Sequence, residues 1–319
     1  MLPVLGNHDT WPVNNEDLSK AEANKPVLLY DEMWADYFTT PEAKQTFKEF
    51  GYYSMPLKAG GKNYDSTWVI GINCQVANDM NWWRLAEIND PLNHIAWLEA
   101  ELARLQKIGA QALIVSHFTP TSYLYSFGKR FKSLMELYQD VVRFSFTGHS
   151  HLQGFHITKS IKEQQPLGWS FLAGSVGSNG NKNPVFNVVE MDAEFMVPVG
   201  IEVYFADIMK ANKEGKLTWE HYISWGKEYN LPDMRPSHMS AFAERIRDDE
   251  QTAINFIYNA FRGARSRLDE CDEDCRLGVF CEVQSSGPRD GQICHGKTPK
   301  PSFYELVMDP WYEVTQSPW

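Results

Sequence analysis

The stretch Gln111-Ala112-Leu113-Ile114-Val115-Ser116-His117-Phe118 sets the frame for the whole chain. Six consecutive residues without charge, Gln111–Ser116, four of them apolar, read as a compact buried strand. That strand ends on an imidazole. Before it, residues 90–107 carry Leu92, Ile95, Leu98, Leu102 and Leu105 at helical spacing, one face of an amphipathic helix. After it come a predicted helix at 131–139 and a second strand, Val141-Val-Arg-Phe-Ser-Phe146, which runs into Gly148-His149-Ser150-His151. Residues 67–73 predict a strand on the other side, and Pro3-Val4-Leu5 reads as the end of one more. Further strands are expected at 152–157, 169–173, 185–191 and 199–205. Strand, helix, strand and then a run of strands points to a layered α/β sandwich.

From about residue 206 the pattern changes. Residues 206–266 read as helical, broken at Leu231-Pro232 and Arg235-Pro236, and the segment after them carries a cysteine cluster. The expected organisation is therefore a catalytic-type α/β region at 1–205 and a helical region at 206–319. Cys271, Cys275, Cys281 and Cys294 lack the paired Cys-x2-Cys knuckles of a zinc ribbon, so two disulfides are expected, with zinc as the alternative. Proximity pairs Cys271 with Cys275 and Cys281 with Cys294. Cys74 closes the apolar run Trp68-Val-Ile-Gly-Ile-Asn73 and reads as a small buried thiol.

Composition excludes several classes. The chain has 319 residues, 43% hydrophobic and 22% charged, with a formal net charge of -11. This is globular composition. A chain so acidic offers no general attraction for nucleic acid, and Lys129-Arg130-Phe131-Lys132 is too short a basic run to supply one. No apolar run reaches the roughly 18 residues of a membrane-spanning helix.

Three chemistry-bearing stretches each follow a predicted strand: Gly6-Asn7-His8-Asp9, then His117, then Gly148-His149-Ser150-His151. Loops at the carboxyl ends of strands line the crevice in layered α/β folds, so the three can converge. Imidazole nitrogen and carboxamide oxygen are ligands for zinc, manganese or iron. Each piece alone also has a plain reading as a turn or a hydrogen-bonded structural histidine. The ordered set is more specific than its parts.

That set resembles the calcineurin-like metallophosphoesterases, and more narrowly their acid sphingomyelinase-like branch. The narrower resemblance rests on Pro12-Val13-Asn14, Gln153-Gly-Phe155, Phe171-Leu-Ala173, Asn183-Pro184, Tyr229-Asn-Leu-Pro232 and the Cys271–Leu277 segment. It implies a layered α/β/β/α sandwich with a helical, disulfide-bearing C-terminal subdomain. It implies a zinc-dependent phosphoric diester hydrolase, with Asn7, His117 and His149 on one metal and His151 on the other. His8 would protonate the leaving oxygen. Asp9 would either hold His8 in its tautomer or simply cap the turn.

The resemblance also implies two earlier motifs, Asp-x-His and Gly-Asp, which supply three further ligands and lie ahead of Gly6 in that family. The expectation is a fragment, or a gene model begun at an internal Met, holding one zinc or fewer and weakly active. A degenerate relative, acting as a lipid- or protein-binding module, is the alternative. The branch places a partner cysteine shortly after its second-site histidine; Phe118-Thr-Pro-Thr-Ser-Tyr123 has none, so Cys74 is expected to be unpaired.

The expected substrate is sphingomyelin, cleaved to ceramide and phosphocholine, with a nucleotide or other small phosphodiester as the alternative. Trp82, Trp83, Tyr123 and Tyr125 are candidates to receive choline or a base on their ring faces, against the plainer reading that they pack a core. The branch implies a secreted or lysosomal protein, with contact at a membrane surface and no transmembrane segment.

Overall fold

The computed structural model describes residues 1–18, 25–86, 89–301 and 306. Two compact units emerge. The first comprises Met1–Ser145, Gly287–Arg289 and the described residues from Thr298 onward; the second comprises Phe146–Ser286 and Asp290–Lys297. The chain crosses from one to the other inside a strand, at 145/146.

In the first unit, α1 (Lys25–Trp34) and α2 (Pro41–Phe50) precede an antiparallel pair, β1 (Tyr53–Ala59) and β2 (Lys62–Gly71). Next come α3 (His94–Lys107), β3 (Gln111–Val115), α4 (Tyr125–Leu137) and β4 (Val142–Thr147). β2 pairs parallel with β3, Val69 opposite Leu113 and Gly71 opposite Val115. The strand order is β1-β2-β3-β4.

The two-residue repeat of a strand explains why this sheet carries a core on each face. Ile70, Ala112 and Ile114 face a cluster built with Leu98, Leu102 and Leu105 of α3 and Phe127, Phe131 and Leu134 of α4. Val69 and Val115 face the other way, against Leu5, Phe38, Phe47, Tyr53 and Met55. Burial on both faces is why Ala112–Val115 reads as an uninterrupted apolar run.

In the second unit, β5 (Gln153–Lys159) and β6 (Pro166–Ala173) form a hairpin with Phe155 opposite Phe171. A separate sheet runs β7 (Val185–Met191), β8 (Pro198–Phe205), β9 (Glu220–Ser224). Helices α5 (Ile208–Glu214), α6 (Trp225–Glu228), α7 (Pro236–Asp248), α8 (Glu250–Ala260), α9 (Glu273–Val283) and α10 (Asp290–Cys294) complete it. Phe155 stacks on Phe242 at 5.5 Å and meets Phe256 and Trp225 edge-on at 5.7 and 6.2 Å. The hairpin thus seats the helices on an aromatic core.

The expected mixed α/β architecture is present, with parallel and antiparallel pairing. So are both expected disulfides, Cys271–Cys275 and Cys281–Cys294, and the buried free thiol of Cys74. Burial pushes that thiol up, as does the carboxylate of Glu16.

Two expectations need correction. Pro3-Val4-Leu5 is not the end of a strand: Leu5 is buried, but its carbonyl accepts from the Cys74 thiol at 3.4 Å rather than from a ladder. The stretch 206–266 is not wholly helical either. Residues Glu220–Ser224 form β9, because the free edge of β8 offers unpaired backbone groups that a short extended segment satisfies.

No helix among the described residues is long and apolar enough to cross a membrane.

Candidate functional site

The site candidates fall on two turns, one in each unit. The first turn begins with Gly6. Asp9 closes it as a cap, with Oδ2 accepting from the Gly6 backbone N–H at 2.6 Å and Oδ1 accepting from the Tyr30 hydroxyl at 3.1 Å. One carboxylate oxygen thus serves the turn and the other takes Tyr30 of α1. His8 itself is exposed.

Asn7 is buried and points the other way. Its Nδ2 donates to Asn14 Oδ1 at 3.0 Å, and Asn78 donates to that same oxygen at 3.2 Å. Asn78 also donates to Gln75 Oε1 at 2.8 Å, and Gln75 donates to the Gly6 carbonyl at 3.2 Å. With Nδ2 so engaged, Asn7 Oδ1 is left facing His117 Nε2 at 2.8 Å. Residues 110 positions apart are thereby brought together, one on the turn and one at the end of β3. A Cβ at position 6 would stand tightly, 3.1 Å from His117 Nδ1 and 3.2 Å from Asp9 Oδ2, so glycine gives the two side chains room.

The second turn is held by its backbone. Ser150 N–H donates to the Gly148 carbonyl at 2.9 Å, closing a γ-turn about His149, whose φ is 72°. His151 follows at φ 60°. Two non-glycine residues in the left-handed region within three positions cost of order 1–3 kcal/mol each and persist only where neighbours impose them. The neighbour is Arg262. Its guanidinium, 0% exposed, donates to the carbonyls of His151 at 3.0 Å, Asn183 at 2.6 Å and Ala260 at 2.9 Å. Burial lowers its pKa to about 10. His151 Nδ1 donates to Asn179 Oδ1 at 2.6 Å, which leaves Nε2 as the ring's acceptor.

These partners were invisible in sequence. Asn78, Gln75, Asn179 and Arg262 belong to no motif and lie 28 to 111 residues from the turn residues they hold.

The aromatic candidates separate. Tyr123 is a correction: it is 3% exposed, packs edge-on to Phe127 and Phe131, and shares a hydrogen bond with Ser116 Oγ at 2.9 Å, so it is core and offers no face to a ligand. Tyr125 is half-buried with the Arg289 guanidinium already 4.0 Å over its ring. Trp82 and Trp83 lie in a 3-10 helix, Trp82–Leu85, and remain 45% and 44% exposed.

As for the metal, Asn7 Oδ1 and His117 Nε2 are two donors at one point. Zinc takes three or four protein donors. Among the described residues no group of three His, Cys, Asp or Glu side chains stands close enough to hold a metal ion. The donor set in hand is thus incomplete for the metal that the resemblance implies.

Bovine sphingomyelin phosphodiesterase is 25% identical over 316 residues, covering 96% of this chain and 49% of that protein. The chain is similar in sequence to sphingomyelin phosphodiesterases. Human cyclic GMP-AMP phosphodiesterase is 23% identical over 301 residues, 89% of this chain and 64% of its own length. A zebrafish (Danio rerio) dimetal phosphatase structure overlays 49% of this chain and 57% of its own with a TM-score of 0.34 at 12% identity. No family profile matches the chain. The chain spans about half the length of the sphingomyelin phosphodiesterases it matches.

Proposed function

We propose that this chain carries part of the active site of a metal-dependent phosphoric diester hydrolase, with zinc as its metal. The observation that supports this best is the pairing of Asn7 Oδ1 with His117 Nε2, two potential ligand atoms at 2.8 Å from separate motifs of the expected set. Asn7, His117, His149 and His151 are the proposed metal ligands. His8 is the proposed proton donor: it is next to Asn7, it reaches solvent, and Asp9 is not tied to it. A histidine in that role contributes typically 10²–10⁴ in rate.

Sphingomyelin is the proposed substrate, on the strength of the relatives named for it. A second reading, hydrolysis of a nucleotide phosphodiester, is favoured by the relative that acts on cyclic GMP-AMP and by the loss of Tyr123 from the aromatic surface expected to receive choline. The disulfides suit an oxidising compartment, and we place the protein in the lysosome or outside the cell. Contact with a phospholipid surface is part of the sphingomyelin reading alone. We take residues 1–205 as the catalytic region and 206–319 as its helical subdomain.

The test is release of phosphocholine from sphingomyelin against hydrolysis of a nucleoside triphosphate at pH 5, with added zinc and with chelator. Weak turnover that zinc raises and chelation abolishes is expected. His8→Ala lowers that turnover about 10²-fold or more without changing zinc content. No hydrolysis of either substrate at saturating zinc overturns the reading.

A further inference from the structure

The loop that follows β6, Gly174-Ser-Val-Gly-Ser-Asn-Gly-Asn-Lys-Asn183, belongs to none of the machinery described above except through Asn179. It is folded tightly: Gly174, Gly180 and Asn181 have φ of 77°, 73° and 57°, and Gly177 N–H donates to Ser175 Oγ at 2.9 Å. Residues 176–181 are exposed.

Three cations gather on this loop. Lys182 folds back across it, so that a Cβ on Gly180 would stand 2.9 Å from the ammonium nitrogen. Arg265 donates to the Gly180 carbonyl at 3.3 Å while its guanidinium lies 3.8 Å over the Phe261 ring. Arg262 lies buried behind, bonded to the carbonyls of Asn183 and His151. Among the described residues no carboxylate forms an ion pair with Lys182, Arg262 or Arg265. The Lys182 ammonium is held below its usual range by burial and by the charges of Arg265 and Arg262. In a chain with a net charge of -11, like charges so placed repel one another, and no carboxylate among the described residues pairs with them.

We infer that the Gly174–Asn183 loop is a subsite for a second phosphate group of the substrate, with Lys182 and Arg265 as its cationic donors. Asn179 fixes the location, since the loop that holds the cations also holds the imidazole of His151. A group bound there lies on the loop that carries Asn179, the partner of His151. The subsite attracts a phosphate chain and repels the quaternary ammonium of choline. It therefore rests on the second reading of the proposed hydrolase activity, and within that activity selects a nucleoside polyphosphate over the choline phospholipid of the first.

Two substrates separate binding from chemistry. ATP carries further phosphates, whereas bis(p-nitrophenyl) phosphate carries a single charge. In the double variant Lys182→Ala/Arg265→Ala, KM for ATP is expected to rise about tenfold, with kcat/KM for bis(p-nitrophenyl) phosphate within about twofold of the parent. Lys182→Arg with Arg265→Lys restores the ATP value. Equal losses on both substrates would mean that the two residues only shape the His151 turn, and unchanged ATP kinetics would mean that they bind nothing; either overturns the subsite. Should the parent chain hydrolyse neither substrate, the hydrolase reading fails by itself and calorimetric titration with ATP in EDTA decides the subsite. Binding weakened about tenfold in the double variant supports it, and equal or absent binding overturns it.

Discussion

The Gly6–Asp9 turn and the Gly148–His151 turn carry the same types of residue and are held by opposite means. The first is set by side chains: Asn7, Asn14, Gln75 and Asn78 bond to one another, and the backbone needs no left-handed residue between Gly6 and Asp9. The second is set by the main chain, with His149 and His151 both at positive φ and a buried arginine gripping a carbonyl. A side-chain network can lose one member and keep the turn. A strained backbone whose carbonyl is gripped by a single guanidinium has less redundancy.

The largest effect should therefore come from Arg262→Met. It strips donors from the carbonyls of His151, Asn183 and Ala260, partly offset by no longer burying a charge. A loss of about 3 kcal/mol is expected, read as a lower denaturant midpoint at unchanged slope. An unchanged midpoint would show that the second turn holds itself.

Acid should distinguish the units next. His94, in the first unit, is 0% exposed among Tyr52, Trp97 and Phe127, and its Nε2 accepts from the Asn73 N–H. Burial lowers its pKa to about 3. Its unfolded value lies near 6.5, so below that pH the unfolded chain binds the extra proton. Stability is then full above about pH 6.5 and falls as pH falls toward 3, by about 2 kcal/mol at pH 5. His156, in the second unit, is also lowered by burial, but the charge of Glu282 and the Glu282 carbonyl act against that. Hydrogen exchange at pH 7 and pH 5 should show more added opening around His94 than around His156. Equal opening, or a pH slope that survives His94→Gln, would remove this account.

Asn78→Ala should cost about 1.5 kcal/mol, because it leaves Gln75 Oε1 and the Met80 N–H without their partner. It should also weaken any metal uptake assigned to Asn7, as measured by zinc titration.

The smallest pair has opposite signs. Gly6→Ala presses a methyl onto His117 and should destabilise by about 1 kcal/mol, whereas His149→Gly relieves a positive φ and should stabilise by up to about 1 kcal/mol. Thermal midpoints that move in the same direction would erase the distinction between the two turns.

Much was legible in the sequence because it is local. The strand 111–115 and the helix 94–107 follow from apolar spacing, and both disulfide pairs follow from proximity along the chain. The Gly-Asn-His, strand-end His and Gly-His-x-His stretches mark the candidate donors without any coordinates. β9 escaped because its extended form depends on the edge of β8, and Tyr123 was misplaced because nothing in Phe118–Tyr125 says which ring meets Phe127 and Phe131. Only tertiary structure decided that Asn7 turns its oxygen to His117, that Asp9 is spent on Gly6 and Tyr30, and that Arg262 reaches back 111 residues to His151. Residue type and period are properties of neighbours along the chain. A hydrogen bond within about 3 Å between residues far apart in sequence exists only once the packing of everything between them is set.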